Sequence, residues 1–330
     1  MAHVVVVGPG ALGTLFAVRL GAAGHDVSLA CRTPKVAKHI ATQGAILVDD
    51  RGTHRQEVHA VHKPRQLTQP VDAVIVATKC AAAPEAFQAW AAKTGPTIGL
   101  QNGLMGDQLA GITNTYVPCT VGFPASWDGP GRSVQTATGA LHVGAWPAGA
   151  WSRHEEVAVD LLADVAPVLA SDNMRGVAWS KLLINSVGMV GTLTGQGMGD
   201  LLRDARAKEA FLRIIEEGHE AGLAEGVSFE KVAGFHPRLL GRVGRIGGRT
   251  AQRALVGVIG RKYRRMKSSS LQSLDRGQKT EAAYLNGQIA ATARHHGVHT
   301  PVNDALFHVI QEVEAGRAQP APELLDRLPL

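Results

Sequence analysis

The sequence predicts an α/β protein: a doubly wound parallel sheet in the N-terminal half, followed by a mostly α-helical C-terminal domain. Three observations carry that expectation. Short apolar strands alternate with helical stretches over the first 145 residues. A glycine-rich turn lies directly behind the first strand. After about residue 150 the pattern changes to longer helices separated by Gly and Pro. Strand–helix alternation builds an open parallel sheet covered by helices, whereas a run of helices must find its own core.

In order, Val4–Gly8 reads as a buried strand, Ala11–Ala23 as a helix ended by Gly24, and Val27–Cys31 as a second strand. Val71–Thr78, Thr97–Leu100, Tyr116–Gly122 and Leu141–Ala145 continue the strand series, with Gly129-Pro130-Gly131 as turn punctuation before the last of them. Expected helices follow at Glu155–Leu169, Arg175–Leu193, Asp204–Glu225, Ser270–His295 and Val302–Glu314. The join falls near Ala170–Asn173, which gives expected domains of 1–172 and 173–330.

At 330 residues the chain is long enough for both domains to bury a core. An apolar share of 45% and a charged share of 19% fit a globular protein rather than a disordered one. The three cysteines, Cys31, Cys80 and Cys119, are far apart and make neither a disulfide framework nor a metal site. No secretory signal is evident, and no run reaches the roughly 20 apolar residues of a membrane span, so the cytoplasm is the expected compartment. Aromatics at 5% give little sign of a base-stacking platform, and nucleic acid is not the expected partner.

The formal charge of +6 is concentrated. Between Lys231 and Leu274 there is no Asp or Glu, while Arg238, Arg242, Arg245, Arg249 and Arg253 recur at helical spacing, followed by Arg261, Lys262, Arg264, Arg265 and Lys267. A solvated helix face, attraction of an anionic cofactor or substrate, and contact with nucleic acid are the three readings of this run.

Gly8-Pro9-Gly10-Ala11-Leu12-Gly13 is G-x-G-x-x-G between a strand and a helix. The first glycine permits the tight turn, the second lets a pyrophosphate approach the backbone, and the third lets the helix pack on the strand. Unpaired N–H groups at the helix start then face the phosphates. In this strand–turn–helix context the pattern predicts a Rossmann-type dinucleotide-binding domain. Arg32 follows the second strand, where an NAD-binding protein carries an acidic residue on the ribose. An arginine there suits the 2′-phosphate of NADPH, the alternative being a surface arginine without a role.

Reduction of a ketone by hydride leaves an alkoxide that needs a proton, and a lysine ammonium can polarise the carbonyl and supply it. In Trp179-Ser180-Lys181-Leu182-Leu183-Ile184-Asn185, Lys181 and Asn185 are four apart and share one helix face in an apolar setting. A solvated helix lysine is the competing reading of that stretch.

Taken together, GPGALG at Gly8–Gly13, Arg32, ATK ending in Lys79, LQNG at Leu100–Gly103, WSKLLIN at Trp179–Asn185, SSSLQSLDRGQKTEAAYLNG at Ser268–Gly287 and HGVHTP at His296–Pro301 resemble the ketopantoate reductase (2-dehydropantoate 2-reductase) family over nearly the full length. The resemblance implies an NADPH-dependent reductase of a small anionic 2-keto acid, making pantoate on the route to pantothenate and coenzyme A. Lys181 is the implied general acid, and Glu281 lies near the nicotinamide ribose and that lysine. Lys79, Asn102 and Ala125 lie near the cofactor, and Asn102, Asn185 and Ser269 hold the substrate. Charge agrees for Glu281, since a nearby carboxylate favours a protonated lysine. The helical spacing leaves Ser270 as an alternative to Ser269. A reductase of another branched 2-keto acid and a non-catalytic NADPH-binding regulator are the alternative functions. The oligomeric state stays open, a homodimer among the options.

Two departures concern the substrate. Family members commonly carry a second asparagine one turn beyond Asn185, and Gly188-Met189-Val190 offers none. The stretch 226–267 is also longer and more basic than the usual connection. A lost amide is expected to change which 2-keto acid fits.

Overall fold

The apolar run near the N-terminus forms β1 (His3–Val7), all five of whose residues are buried. Burial on both faces of one strand is what a parallel sheet covered by helices on each side demands. Beside β1 lie β2 (Asp26–Ala30) and β6 (Ala73–Val76), both parallel to it. The computed structural model describes residues 1–261, 264 and 267–330. Its chain divides into two units, Met1–Gln101 with Met105–Arg175, and Asn102–Leu104 with Gly176–Leu330.

The first unit is built on an eight-stranded sheet of order β12-β11-β8-β7-β6-β1-β2-β5. Its remaining strands are β5 (His59–Val61), β7 (Thr97–Gly99), β8 (Tyr116–Val121), β11 (Leu141–Val143) and β12 (Val168–Ala170). All neighbours are parallel except β8 and β11. From β1 the chain goes outward to β2, then returns to the opposite side as β6. The strand order therefore reverses beside β1, and a crevice at such a reversal is where open α/β sheets take ligands.

A second, four-stranded sheet was not foreseen. It runs β4-β3-β10-β9, from β3 (Ala45–Asp49), β4 (Gly52–Gln56), β9 (Ala125–Trp127) and β10 (Arg132–Gln135). It packs against α1 (Ala11–Ala22), the helix behind the glycine turn. The other helices of this unit are α2 (Pro34–Gln43), α3 (Ala83–Trp90), α4 (Gly106–Ala110) and α5 (Arg153–Ala163). Ser152 and Glu155 start α5 with a reciprocal capping box. The expected helix to Leu169 stops short, because Pro167 cannot continue it and Val168–Ala170 pairs with β11 instead.

The second unit begins within α6 (Met174–Val187) and continues as α7 (Met189–Thr194), α8 (Met198–Leu201), α9 (Ala205–Ala224), α10 (Arg238–Gly260), α11 (Ser269–Leu274), α12 (Asn286–His295) and α13 (Pro301–Glu314). Its core gathers Trp179, Leu183, Phe211, Ile214, Ile289 and Ile310, among others. Buried Glu217 of α9 accepts from the backbone N–H groups of Val302 and Asn303, capping the start of α13. The expected continuous helix from Ser270 to His295 is three pieces: α11, a 3-10 turn at Ala282–Tyr284, and α12. Gly277, in the left-handed region at φ 66°, ends the first piece. No helix among the described residues is long and apolar enough to cross a membrane.

The basic run divides by role. Helix α10 is interrupted at Gly248, whose φ is 62°. Beyond that point Arg249 donates to Glu209 and Glu216, and Arg253 to Glu209, tying α10 to α9. Before it, Arg238, Arg242 and Arg245 are solvent-exposed. Lys262 and Arg265 lie outside the described residues. The clasp is testable through Glu209, whose carboxyl is held down to about 2, first by the Arg249 hydrogen bonds. A depressed carboxylate stabilises the fold above its ordinary value of 4.5 and loses that contribution as pH falls toward 2. Glu209→Gln is expected to lose about 2 kcal/mol at pH 7. In urea unfolding followed from pH 7 to 3, the gap to the parent should narrow in the acid range.

Candidate active site

Two groups of residues stand out, one in each unit. In the first, β1 ends in a turn, Gly8–Gly10, that leads into α1. Gly8 has φ +103°, and a Cβ at Gly13 would lie 1.9 Å from the Gly8 carbonyl oxygen. Those two positions therefore admit glycine alone. Gly10 differs: a Cβ there would meet no atom within 4 Å. Its missing side chain leaves open space against the backbone rather than relieving a clash. Gly10 also precedes α1 without any side-chain cap, and the first turn of α1 has no acidic residue. Pro9, Ala11 and Leu12 are only partly buried. Open backbone, uncapped N–H groups and no competing carboxylate fit a pyrophosphate.

Around this turn, Arg32 is exposed in the short connection between β2 and α2. No acidic residue lies between Val27 and Ala45 to contest an anion there. Lys79 is exposed at the end of β6, and Ala125 lies in β9, paired with Gln135 of the small sheet. Sequence reasoning did not single out Gln101 or Thr78. The Gln101 amide donates to the carbonyls of Val76 and Thr78, fixing the end of β6. The buried Thr78 hydroxyl has no hydrogen-bond partner among the described residues, and Thr78 sits against Gly8.

In the second unit, α6 sorts the WSKLLIN segment by helical face. Trp179, Ser180, Leu182 and Leu183 are buried, whereas Lys181, Ile184 and Asn185 are only partly so. Edge-to-face contact of Trp179 with Phe229 at 6.3 Å and a hydrogen bond from the Glu230 N–H to the Ser180 hydroxyl hold this face inward. Lys181 and Asn185 therefore project together from the other face. Asn185 donates from its amide to Asn102 Oδ1 at 2.8 Å, and Asn102 donates in turn to Glu281 Oε2 at 3.1 Å. Residues 102–104 belong with this unit although they follow β7 in sequence. Gly103 explains how: its φ is +73°, and a Cβ would come 2.6 Å from the Tyr284 carbonyl oxygen. Only glycine lets this segment lie against the turn that carries Glu281.

Burial lowers Lys181 to about 8, with desolvation as the cause. That reverses the expected direction, since a neighbouring carboxylate was expected to favour the protonated lysine. Ser269 is exposed at the start of α11, while Ser270 is buried. The continuous helical spacing that left Ser270 open as an alternative to Ser269 is not present, because no single helix runs from Ser270 to Glu281. Ser268 caps α11 through Leu271 N–H and lies 3.2 Å from the Thr192 hydroxyl. Met189, one turn beyond Asn185, is buried in the helical core. Among the described residues no group of His, Cys, Asp and Glu is placed to hold a metal.

Fold and residues together define a class, an α/β unit with a glycine-rich turn behind its first strand, followed by a helical unit in which a lysine shares a helix face with the first member of an amide–carboxylate chain. The family pattern described as Ketopantoate reductase PanE/ApbA matches residues 4–148, and that of its C-terminal domain matches residues 173–314. A 2-dehydropantoate 2-reductase of Pyrococcus abyssi is 25% identical over 326 residues, covering 94% of this chain and 98% of the relative. The Salmonella typhimurium enzyme of the same name is 26% identical, covering 97% and 99%. The crystal structure of a PanE/ApbA family ketopantoate reductase from Ralstonia eutropha is similar, with a TM-score of 0.79 and 25% identity over 96% of this chain and 99% of that one. D-mandelate dehydrogenase, solved with NADH and anilino(oxo)acetate, shares the fold at a TM-score of 0.80 and 18% identity, covering 95% and 98%. The chain belongs to the ketopantoate reductase family, a family of oxidoreductases.

Proposed function

We propose that this protein reduces 2-dehydropantoate to (R)-pantoate with NADPH, in the cytoplasm, as a step toward pantothenate and coenzyme A. The observation that carries the reading is the face of α6 presenting Lys181 and Asn185, joined through Asn102 to Glu281. When bound, the reduced nicotinamide supplies the hydride. The turn from Gly8 to Gly13 receives the pyrophosphate, and Arg32 the 2′-phosphate. Lys79 and Ala125 belong to the surroundings of the cofactor, and Glu281 to those of its ribose. Lys181 donates its Nζ proton to the keto oxygen as negative charge develops there. A lysine brought down to about 8 is well matched to this, being protonated at pH 7 yet readier to release its proton than an exposed one. Asn185, with one amide N–H held by Asn102, keeps its carbonyl oxygen for a substrate hydroxyl, and Ser269 is the exposed hydroxyl for the substrate carboxylate.

A second reading, reduction of a different branched 2-keto acid, is favoured by one observation. Met189 lies in the helical core, one turn beyond Asn185, where the family resemblance implies a second amide. Consumption of NADPH with a panel of 2-keto acids separates the two readings. Turnover fastest with 2-dehydropantoate supports the first.

Cofactor choice is tested at Arg32. A forked guanidinium–phosphate contact contributes roughly 1.5–3 kcal/mol, or about 10–100-fold in affinity. Arg32→Ala is expected to raise the KM for NADPH by that factor and leave NADH nearly unchanged. Equal losses with both cofactors would remove Arg32 from this role.

A further inference from the structure

Several described arginines of the helical unit are neutralised by a carboxylate: Arg206 by Asp326, Arg213 and Arg253 by Glu209, Arg249 by Glu216 and Arg327 by Glu312. The end of the basic run is set apart by the cavity it lines. Arg261 and Arg264 have no ion-pair partner among the described residues. Both line a cavity of ≈ 660 Å³ together with Arg203, Lys267, Asp200 and Leu202. Four cationic side chains thus face a single carboxylate. That carboxylate, Asp200, is paired with Arg203, and Lys267 pairs with Asp275. The excess positive charge belongs to Arg261 and Arg264.

Glycine makes this convergence possible. A Cβ at Gly260 would come 2.6 Å from Leu202 Cδ2, and one at Gly199 would come 2.8 Å from the Arg264 carbonyl oxygen. Gly260 at the end of α10 therefore lies directly against Leu202, and Arg264 against Gly199 of α8. Cations that line one concavity repel one another, and an anion bound among them relieves that repulsion. The volume falls in the range of small-molecule sites rather than of extended surfaces. None of Lys181, Asn185, Asn102 or Glu281 lines it.

We propose that this cavity is a second anion site, taking a small ligand with two or more adjacent phosphates, distinct from the Gly8–Gly13 turn and from the Lys181 cluster. Guanidinium forks from Arg261 and Arg264 grip neighbouring phosphate oxygens, with Lys267 and Arg203 adding charge at the rim. A nucleic acid would instead track an exposed stripe and engage Arg242 and Arg245 of α10 as strongly.

Inorganic pyrophosphate, titrated calorimetrically into the intact protein with NADPH at saturation, tests the site. Saturable 1:1 binding is expected to persist with NADPH present. Arg261→Ala/Arg264→Ala should weaken it at least tenfold, and Arg242→Ala/Arg245→Ala should leave it within twofold. All four arginines are solvent-exposed, so neither double variant removes core packing. Binding abolished by NADPH would assign it to the dinucleotide turn and overturn the proposal. Equal losses in the two double variants, or no saturation, would overturn it as diffuse surface charge. Should NADPH not bind at all, the contrast between the two variants still decides, so this outcome is separable from failure of the proposed function.

Discussion

Lys181→Ala is expected to lower kcat by about 10²–10⁴-fold while NADPH still binds and the chain stays folded. The reasoning starts from timing. The proton is needed only as charge builds on the keto oxygen, so the loss falls on the transition state and not on cofactor affinity. General-acid help is worth about that factor. Lys181→Arg should rescue little, because the guanidinium is bulkier and holds its proton far more tightly. With the ammonium lowered to about 8, activity should fall as pH rises through that value, and the alkaline limb should vanish in the alanine variant. Near-normal turnover in Lys181→Ala would make this an ordinary helix lysine.

The same burial gives a stability signature that a surface lysine lacks. At pH 7 the folded protein keeps an ammonium in a desolvated position, while the unfolded chain carries it at the ordinary 10.5. Below about pH 8 the cost is fully present. Between about 8 and 10.5 the unfolded chain binds more protons than the folded one, so the cost is relieved as pH rises. Lys181→Met removes a charge that the fold disfavours. It should therefore be more stable than the parent at pH 7, by about 1–2 kcal/mol for a side chain still partly exposed to water. That advantage should disappear by about pH 10.5 in urea unfolding. A variant that is inactive yet more stable would separate the catalytic role from a structural one.

Which parts were legible in the sequence follows from how local their causes are. The Gly8–Gly13 turn is a hard-sphere requirement of a few adjacent residues, so its pattern is written in the chain itself. The sorting of Trp179, Leu182 and Leu183 from Lys181 and Asn185 follows from helical periodicity in the same way. The small sheet was not legible, because its strands are short and β4 (GTHRQ) has no apolar face to give it away. Its stability comes from α1, which no local pattern announces. The turns at Gly277 and Pro167 did carry a signal, one that the apolar spacing on either side masked. Asn102 was named only through the family resemblance; least legible were its bonds to Asn185, 83 residues away, and to Glu281, 179 residues away.

That bridging position sets up the other large effect, expected for Asn102→Asp. Asn102 accepts from Asn185 with its carbonyl oxygen and donates to Glu281 with its amide, so it uses both ends of a side chain that is polar in two senses. Aspartate has nearly the same shape and can still accept from Asn185. Toward Glu281 it offers an oxygen in place of a donor, 3.1 Å from another carboxylate oxygen. Two carboxylates so close cannot both ionise comfortably, and one of the pair must take up a proton well above its ordinary range. Near neutral pH, where both tend to ionise, repulsion should push Glu281 and the aspartate apart and release Asn185 from its set orientation. Losing a hydrogen bond to a charged group is worth roughly 1.5–3 kcal/mol, which corresponds to about 10–100-fold in kcat/KM. As pH falls, one shared proton restores a hydrogen bond across the pair. The deficit of Asn102→Asp relative to the parent should therefore shrink toward pH 5. Asn102→Ala, which has nothing to protonate, should show a deficit independent of pH over the same range. If both variants lost the same activity at every pH, Asn102 would be filling space rather than orienting Asn185 against Glu281.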